Sequence, residues 1–369
     1  MILLKPEWGE KNAEDIWALY YYLLFQVLPF SPFDYLPMDE SGCYYYEKGN
    51  RTTDRIHPKK PNKELKLETS IYELIRSISS DLCDYLYVDD KTVNRDHLRE
   101  LFTTSVDADS LKSKQLSFSL NISQNENHSQ ENAWAPLLKH IFNYNAFRSQ
   151  PLFPKLIKLL GVEVCPYCNR NFTTTAILCD EKYHRQNQVD HYIPKATHPW
   201  FALSLLNFIP SCANCNQKKG EDSSFLLYPY YDEFGASYRF RTVPLSGVGY
   251  LLGEPNTENT FQIEIQQVPG TVLEENYKKR AEHSISKFGL DALYRDSHNS
   301  YVKGILEQRF LVSDAYLDNL CSSFPNHFRT RQDARRMLYL KKYNNDELDK
   351  EPLSKLTHDI DSEINDLIR

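Results

Sequence analysis

Apolar residues recur with helical spacing over much of the first 150 residues of the chain. The clearest segments are residues 16–28, 70–86 and 134–147. Apolar positions three and four residues apart share one face of a helix, so each segment predicts an amphipathic helix that packs on a core. Polar stretches rich in Asn, Ser, Lys and Pro separate these segments. We therefore predict a helical N-terminal region over residues 1–150.

The hydrophobic pattern changes in the middle of the chain. Residues 171–179 and 188–193 have the composition of strands, and residues 212–219 predict a helix. Two strands and a helix around one small core form a ββα unit, which is too small to fold without a cross-link such as a structural metal. We place this unit, with strands 171–179 and 188–193, in a central region over residues 151–235.

The last third of the chain mixes both patterns. Residues 237–243 and 260–267 alternate like strands, and residues 273–310, with a break at Gly289 and Asp291, return to helical spacing. Two more amphipathic helices are predicted over residues 333–343 and 353–368. The region 236–369 is thus predicted to be α+β and then helical. The fold class predicted for the whole chain is α+β, mainly α-helical.

Composition indicates a soluble protein with a large core. The chain has 369 residues, of which 41% are hydrophobic. Its most apolar stretch, residues 16–30, is shorter than the roughly 20 residues that a membrane helix needs. The N-terminus has no basic segment followed by an apolar core and a small-residue cleavage site, so nothing indicates export. We expect a cytoplasmic protein that does not contact a membrane.

The net charge of −7 argues against broad nucleic-acid binding, because Lys and Arg must neutralise phosphates. The local balance differs from the global one. Between residues 155 and 220, basic residues outnumber acidic residues two to one. Nucleic acid would therefore be bound locally, or with the help of a partner protein.

Half of the eight cysteines have metal-ligand spacing. They form two C-x2-C pairs, and two such pairs complete a closed tetrahedral zinc site with no open position for chemistry. We predict a structural Zn2+ site formed by Cys165, Cys168, Cys212 and Cys215. The scattered cysteines are expected to be small buried apolar residues, although Cys179, which has His184 nearby, could compete as a ligand.

Between the two pairs lies Asp190-His191, and Asn207 and Asn216 follow. Hydrolysis of a phosphodiester needs an activated water and charge stabilisation on the phosphate. His191 is the natural base, because an imidazole with a pKa near 6.5 is neutral at working pH. Asp190 and Asn216 offer hard oxygen ligands for Mg2+ or Mn2+. Neighbouring strand residues point to opposite faces, so this arrangement needs a distorted pleat or a site at the strand end.

These residues, in this order, resemble the HNH (ββα-metal) endonuclease family. The resemblance runs through Asp190-His191, Pro194, Asn207 and Cys212-x2-Cys215-Asn216-x2-Lys219, and covers about residues 164–231. It is closest to the zinc-containing subset found in Septu-type and retron anti-phage systems. The last residue of the HNH motif is often His. The resemblance places Asn216 at this position, a change that would affect metal preference more than activity.

The resemblance implies roles and a setting. Asn207 would be the middle residue of the HNH motif, which orients the loop around His191. The other catalytic positions would be Asp190, His191 and Asn216. Lys218 and Lys219 lie about one turn beyond Asn216 and are candidates for phosphate contacts, and His198 is a candidate substrate or leaving-group contact. The setting would be bacterial antiviral defence or restriction, with a RecF/SMC-like ATPase as partner.

The sequence leaves the substrate and the activity open. DNA is the favoured substrate, but the same one-metal site can attack RNA such as a tRNA loop, and no residue identifies a reader of the 2′-hydroxyl. A non-catalytic zinc-ribbon adaptor is a further alternative, in which Asp190 and His191 only support the fold. Dependence of any activity on Mg2+ or Mn2+ separates an enzyme from an adaptor.

Overall fold

The computed structural model describes residues 10–30, 44–47, 53–56, 71–107, 116, 118, 134–178, 182–222, 226–254, 256–257, 259–342, 344 and 347–368. In this part of the chain the helices are α1 (Glu10–Phe25), α2 (Ile71–Ile78), α3 (Ser80–Leu86), α4 (Arg95–Thr103), α5 (Trp134–Ile141), α6 (Tyr144–Arg148), α7 (Phe153–Leu159), α8 (Ala213–Lys219), α9 (Glu275–Phe288), α10 (Leu290–Ser297), α11 (Asn299–Leu311), α12 (Asp314–Ser323), α13 (Arg331–Tyr339) and α14 (Ser354–Ile368). The strands are β1 (Tyr44–Glu47), β2 (Thr53–Ile56), β3 (Thr175–Ile177), β4 (Tyr183–Arg185), β5 (Gln188–His191), β6 (Phe208–Ser211), β7 (Tyr238–Pro244) and β8 (Phe261–Gln267).

The described strands form small antiparallel sheets of two strands each, β1–β2, β3–β4, β5–β6 and β7–β8, and helices make up most of the rest. This confirms the predicted α+β, mainly helical class. Two of the predicted long helices are divided by capping residues. The hydroxyl of Ser79 accepts a hydrogen bond from the Leu82 amide at 3.1 Å and starts α3, and Asn143 caps α6 through the Ala146 amide at 2.9 Å.

The N-terminal helices hold the segment that follows β5. The Tyr20 hydroxyl of α1 donates to the Leu203 carbonyl at 2.7 Å, and the Ser204 hydroxyl donates to the Leu101 carbonyl of α4 at 2.7 Å. Trp200 and Phe201, in a 3-10 turn of the same segment, are buried. Burial of each such aromatic side chain contributes roughly 1.5–3 kcal/mol. The loop beside His191 is therefore attached to the N-terminal core.

The central ββα unit is present, but one of its predicted strands was wrong. β5 pairs with β6, with Asp190 opposite Ile209 and His191 opposite Phe208. The segment predicted as the first strand, residues 171–179, contains β3, which pairs with β4 in a separate hairpin and not with β5. The partner strand β6 escaped detection because it contains Pro210, which is tolerated here since each strand of a two-stranded sheet is an edge. The helix α8 follows β6 at once.

The C-terminal region contains the predicted strands, as β7 and β8. Two acids of α14 satisfy backbone donors on the open edge of β7: Asp359 accepts from the Phe240 amide at 3.0 Å and Glu363 from the Thr242 amide at 3.0 Å. An edge strand covered in this way is not free to pair with another chain. α14 is thus fastened to the sheet by hydrogen bonds as well as by apolar packing.

The helical stretch after β8 is interrupted at the predicted glycine. Gly289 has a φ of +62°, which a side-chain-bearing residue rarely adopts, and it separates α9 from α10. Asp291 lies inside α10, where it accepts a hydrogen bond from the Ile265 amide at 3.0 Å. No helix among the described residues is long and apolar enough to cross a membrane.

Candidate active site and zinc centre

Both C-x2-C pairs meet at one buried point. The four sulfur atoms of Cys165, Cys168, Cys212 and Cys215 all lie within 4.8 Å of one another, and those of Cys168 and Cys212 are 4.0 Å apart. Zinc–sulfur bonds of about 2.3 Å in a tetrahedron place the sulfurs roughly 3.8 Å apart. The chemistry and spacing of these side chains therefore fit a closed zinc site. Cys179, the competing ligand considered from the sequence, lies outside the described residues.

The first knuckle depends on Asn169. This residue has a φ of +50°, and its amide donates to the Cys165 carbonyl at 2.8 Å, which closes the turn between the two cysteines. Its side-chain amide donates to the Leu348 carbonyl at 3.1 Å, and its side-chain oxygen accepts from the Lys355 amide at 3.2 Å. The cysteine turn is thus attached to the start of α14.

The second knuckle forms the start of α8. Cys212 is the N-cap of this helix, and its carbonyl accepts from the Asn216 amide at 3.0 Å. Cys215 lies in the first turn and is buried. The Asn216 side chain leaves the same turn, one residue beyond a sulfur ligand. A zinc ion at the cysteines would therefore also fix the start of α8 and the position of Asn216.

Asp190 and His191 point to opposite faces of β5. Asp190 faces α8, where the ammonium of Lys219 lies 3.3 Å from its Oδ1. His191 faces the N-terminal helices, where its ring meets Tyr144 of α6. This is the ordinary alternation of a strand. The pleat shows no distortion that turns both side chains to one side, so any shared substrate would have to lie at the strand end, next to His191.

Asp190 is held by two donors. Its Oδ2 accepts from the Tyr167 hydroxyl at 2.6 Å, and Lys219 donates both to its Oδ1 at 3.3 Å and to the His191 carbonyl at 2.8 Å. Asp190 is 4% exposed and Lys219 is 1% exposed. Burial raises the pKa of Asp190, and the charge of Lys219 opposes this shift; burial likewise lowers the pKa of Lys219.

His191 is enclosed and neutral. It is 7% exposed, and its ring centroid lies 4.4 Å from that of Tyr144, edge to face. Burial, together with the positive charge of Lys195, lowers the pKa of His191 to about 3. Its Nε2 lies 3.0 Å from the Ala202 carbonyl. A carbonyl can only accept, so we assign the proton to Nε2 and the lone pair to Nδ1.

Asn207 ties the two ends of the loop that follows His191. It is fully buried, and its Oδ1 accepts from the Ile193 amide at 2.7 Å. Its Nδ2 donates to the carbonyls of Ile193 and Phe201, each at 3.0 Å. Phe201 immediately precedes Ala202, whose carbonyl receives the His191 ring. Through these bonds Asn207 sets the carbonyl that orients the histidine.

The other predicted site residues lie at or near the surface, with one exception. The Nδ2 of Asn216, which is partly exposed, donates to the Gln188 Oε1 at 2.6 Å on the Asp190 face of β5. Lys218 is exposed, with its ammonium beside Gly289 at the end of α9. His198 is half-buried against Trp200, with Nδ1 2.9 Å from the Thr197 hydroxyl. Lys219, predicted to contact phosphate, is instead buried because it neutralises Asp190.

Sequence reasoning missed the residues that surround the predicted ones. Tyr167, between the first two cysteines, supplies the hydroxyl on Asp190. Tyr144, from the N-terminal region, covers His191. The only sequence signal for Tyr167 was its position inside the knuckle. Tyr144 lies 47 residues before His191 and carries no local signal, because only the packing of α6 onto the β5–β6 hairpin brings the two together.

Comparison with known families agrees with this geometry. The HNH endonuclease family model matches residues 165–222, which include both cysteine pairs, β5, β6 and α8. Residues 165–222 are an HNH domain. The chain is also 29% identical over 82 residues to Septu protein PtuB of Bacillus thuringiensis. That match spans 22% of this chain and 29% of the relative, and no solved structure matches the chain significantly.

The fold of the HNH domain brings together residues that are distant in sequence. The domain places Asp190 and Asn216 on the helix side of β5, and His191 with the Asn207-bound loop on the other side. The resemblance inferred from the sequence is confirmed at the level of this domain. The residues before position 165 and after position 222 lie outside the family match.

Proposed function

We propose that this protein is a metal-dependent HNH endonuclease that hydrolyses phosphodiester bonds of nucleic acid, with DNA favoured. The observation that carries the proposal is the HNH family match over residues 165–222, within which Asp190, His191, Asn207 and Asn216 occupy one ββα unit. An isolated Asp-His pair would be weak support, but these residues share one hairpin and one helix with the four-cysteine cluster.

In this proposal His191 is the general base. Its Nε2–H donates to the Ala202 carbonyl, which leaves the Nδ1 lone pair to accept a proton from water. Asn207 acts through the loop: by holding the Phe201 carbonyl it fixes the neighbouring Ala202 carbonyl and so the direction of the imidazole. An enclosed imidazole with a low pKa is a weak base. The approach of an anionic phosphate would raise the pKa of His191.

The proposed divalent cation would be Mg2+ or Mn2+. The carboxylate of Asp190 and the amide oxygen of Asn216 are hard oxygen donors on the same face of β5, and such donors suit these ions. A cation bound there would supply positive charge for the phosphate. In its absence, the Lys219 ammonium balances the carboxylate. Cys165, Cys168, Cys212 and Cys215 would hold the structural Zn2+.

We further propose a role in bacterial anti-phage defence, with an ATPase as partner. The support is the similarity to Septu protein PtuB, which the match covers over 29% of its length. The net charge of −7 agrees with a nuclease that binds nucleic acid poorly on its own and depends on a partner for delivery. A free monomer that cleaves DNA rapidly without a partner would contradict this part of the proposal.

The test uses zinc-loaded protein, because a protein that has lost its structural zinc could be inactive through unfolding alone. Wild type, His191→Ala and His184→Ala are incubated with duplex DNA, single-stranded DNA and total RNA, each in Mg2+ and in Mn2+. His184 is the matched control because it is an exposed histidine on the neighbouring hairpin β3–β4. Without the partner we expect slow cleavage by wild type and His184→Ala and none by His191→Ala, with equal zinc content. Full activity of His191→Ala would overturn the mechanism.

A non-catalytic zinc-stapled adaptor is the second candidate. One observation favours it: both Asp190 and His191 are buried and hydrogen-bonded within the fold, as structural side chains would be. The same experiment separates the two functions. Binding of nucleic acid without any metal-dependent cleavage supports the adaptor, and cleavage that requires Mg2+ or Mn2+ excludes it.

A further inference from the structure

A group of basic side chains lies near Lys195, whose ammonium is over the Tyr144 ring that covers His191. They come from distant parts of the chain: Lys139 from α5, Arg148 from α6, Arg185 from β4 and Lys195 from the loop after β5. We call these four residues the basic rim. Two of its members, Lys139 and Arg148, lie outside the HNH match and belong to the helical N-terminal region.

Aromatic rings hold two of these cations in place. The ammonium of Lys195 lies 4.5 Å from the centre of the Tyr144 ring, and the guanidinium carbon of Arg185 lies 5.2 Å from the centre of the Phe153 ring. The negative face of an aromatic ring attracts a cation placed over it. Tyr144 in turn contacts His191. The basic rim therefore begins one aromatic ring away from the proposed general base.

The members of the basic rim repel one another. Burial and the charges of Arg148 and Lys139 lower the pKa of Lys195, and burial and Arg148 lower the pKa of Arg185. Within the described residues, no carboxylate forms an ion pair with any of the four. In contrast, the described cations Lys278 and Lys279 face acids on their own helix. Like charges gathered without a counter-charge are stabilised when an anion binds between them.

We propose that the basic rim binds the phosphate backbone of the nucleic-acid substrate, on the strand segment next to the phosphodiester bond that is hydrolysed with His191 as the base. This inference rests on the proposed function and adds the N-terminal region to the substrate site. Arg and Lys on a rigid aromatic surface are suited to backbone phosphates, which position a nucleic acid without reading its sequence. A chain with a net charge of −7 then binds nucleic acid through one local surface.

The test measures binding separately from cleavage. The catalytically inert His191→Ala protein, zinc-loaded and without Mg2+, is titrated against a fluorescent 20-base-pair DNA duplex at several salt concentrations. The variant Lys139→Gln/Arg148→Gln removes two exposed charges that lie outside the HNH domain. Lys278→Gln/Lys279→Gln on α9 removes the same number of exposed charges elsewhere and is the matched control.

For duplex DNA each lost phosphate contact lowers the slope of log affinity against log salt by about 0.9. We expect the Lys139→Gln/Arg148→Gln slope to fall by about 1.8 and its Kd at 0.1 M salt to rise at least roughly tenfold. The control pair should leave both values near those of the parent. Lys139→Arg/Arg148→Lys, which keeps the charges, should restore most of the affinity.

Three results would overturn the proposal. One is an unchanged slope and Kd in Lys139→Gln/Arg148→Gln, and another is an equal loss in the control pair, which would reduce the effect to net charge. The third is failure of the parent protein to bind duplex even at 0.05 M salt. Failure of the nuclease proposal has a different signature: wild type then binds through the basic rim but cleaves nothing in Mg2+ or Mn2+.

Discussion

The three side-chain hydrogen bonds of Asn207 hold the loop that follows His191, and substitutions of Asn207 should destabilise this loop by a predictable amount. Asn207→Asp keeps the shape of the side chain and its acceptor for the Ile193 amide. It replaces the amide donor with an oxygen that faces the carbonyls of Ile193 and Phe201, each 3.0 Å from the present Nδ2. Asn207→Ala removes the acceptor as well and leaves the buried Ile193 amide unpaired.

The magnitude follows from the bonds that are lost. A buried group left without its partner costs about 1–3 kcal/mol. In the Asp variant the Ile193 carbonyl is unpaired and a buried anionic oxygen faces both carbonyls, although the Phe201 carbonyl keeps the Ser204 amide at 3.2 Å. The Ala variant leaves the Ile193 carbonyl and the Ile193 amide unpaired, so each variant should destabilise the loop by about 3–5 kcal/mol. Because 1.4 kcal/mol is a factor of ten, amides in the loop should exchange with solvent at least about 100-fold faster.

The assay is hydrogen exchange followed by mass spectrometry on peptides that cover residues 192–203, together with the rate of DNA cleavage. The control is Asn187→Ala. Asn187 is also a buried asparagine, but its Nδ2 donates to the Thr173 carbonyl at 2.6 Å and the Thr175 hydroxyl at 3.1 Å, away from the loop. We expect Asn207→Asp to lose protection in the loop and most of kcat, with a smaller change in KM.

The reasoning would be refuted by either of two results. If Asn207→Asp keeps wild-type protection over residues 192–203, the three hydrogen bonds do not hold the loop. If protection is lost while kcat stays at the wild-type value, the loop does not orient His191. Asn187→Ala should lower protection around β3 and leave the rate of cleavage unchanged.

Further predictions concern zinc, the buried ion pair and pH. Wild type should contain one zinc per chain by elemental analysis; Cys168→Ser should lose it and Cys321→Ser, outside the cluster, should keep it. Lys219→Met leaves Asp190 without its counter-charge and should destabilise the fold by about 3–5 kcal/mol in urea unfolding, partly restored by adding Asp190→Asn. The pKa of His191 is about 3 in the folded protein and near 6.5 in the unfolded chain. The free energy of unfolding contributed by this residue is therefore complete above pH 6.5, and it falls by up to about 1.4 kcal/mol per pH unit between pH 6.5 and pH 3. His191→Gln should lack this pH dependence.

Much of the architecture could be predicted from local sequence. Helical spacing predicted the segments that became α1 and α14, and the glycine break at position 289 was correct. The main error was β6, which was not predicted because Pro210 argues against a strand. The proline is tolerated because β6 pairs with β5 alone and is therefore an edge strand. Capping by Ser79 and Asn143 also divided helices that apolar periodicity alone joins.

What the sequence by itself determined is the four-cysteine cluster and the identity of the HNH domain. Cysteine spacing predicted the four-sulfur cluster, and the order of Asp190, His191, Asn207 and Asn216 predicted the HNH domain, because ligand spacing and a short hairpin are local properties of the chain. Tertiary structure decided the surroundings. Lys219 is buried against Asp190, Tyr144 covers His191, and the N-terminal helices bring Lys139 and Arg148 beside the site. Each of these depends on packing between segments far apart in sequence, which no local pattern encodes.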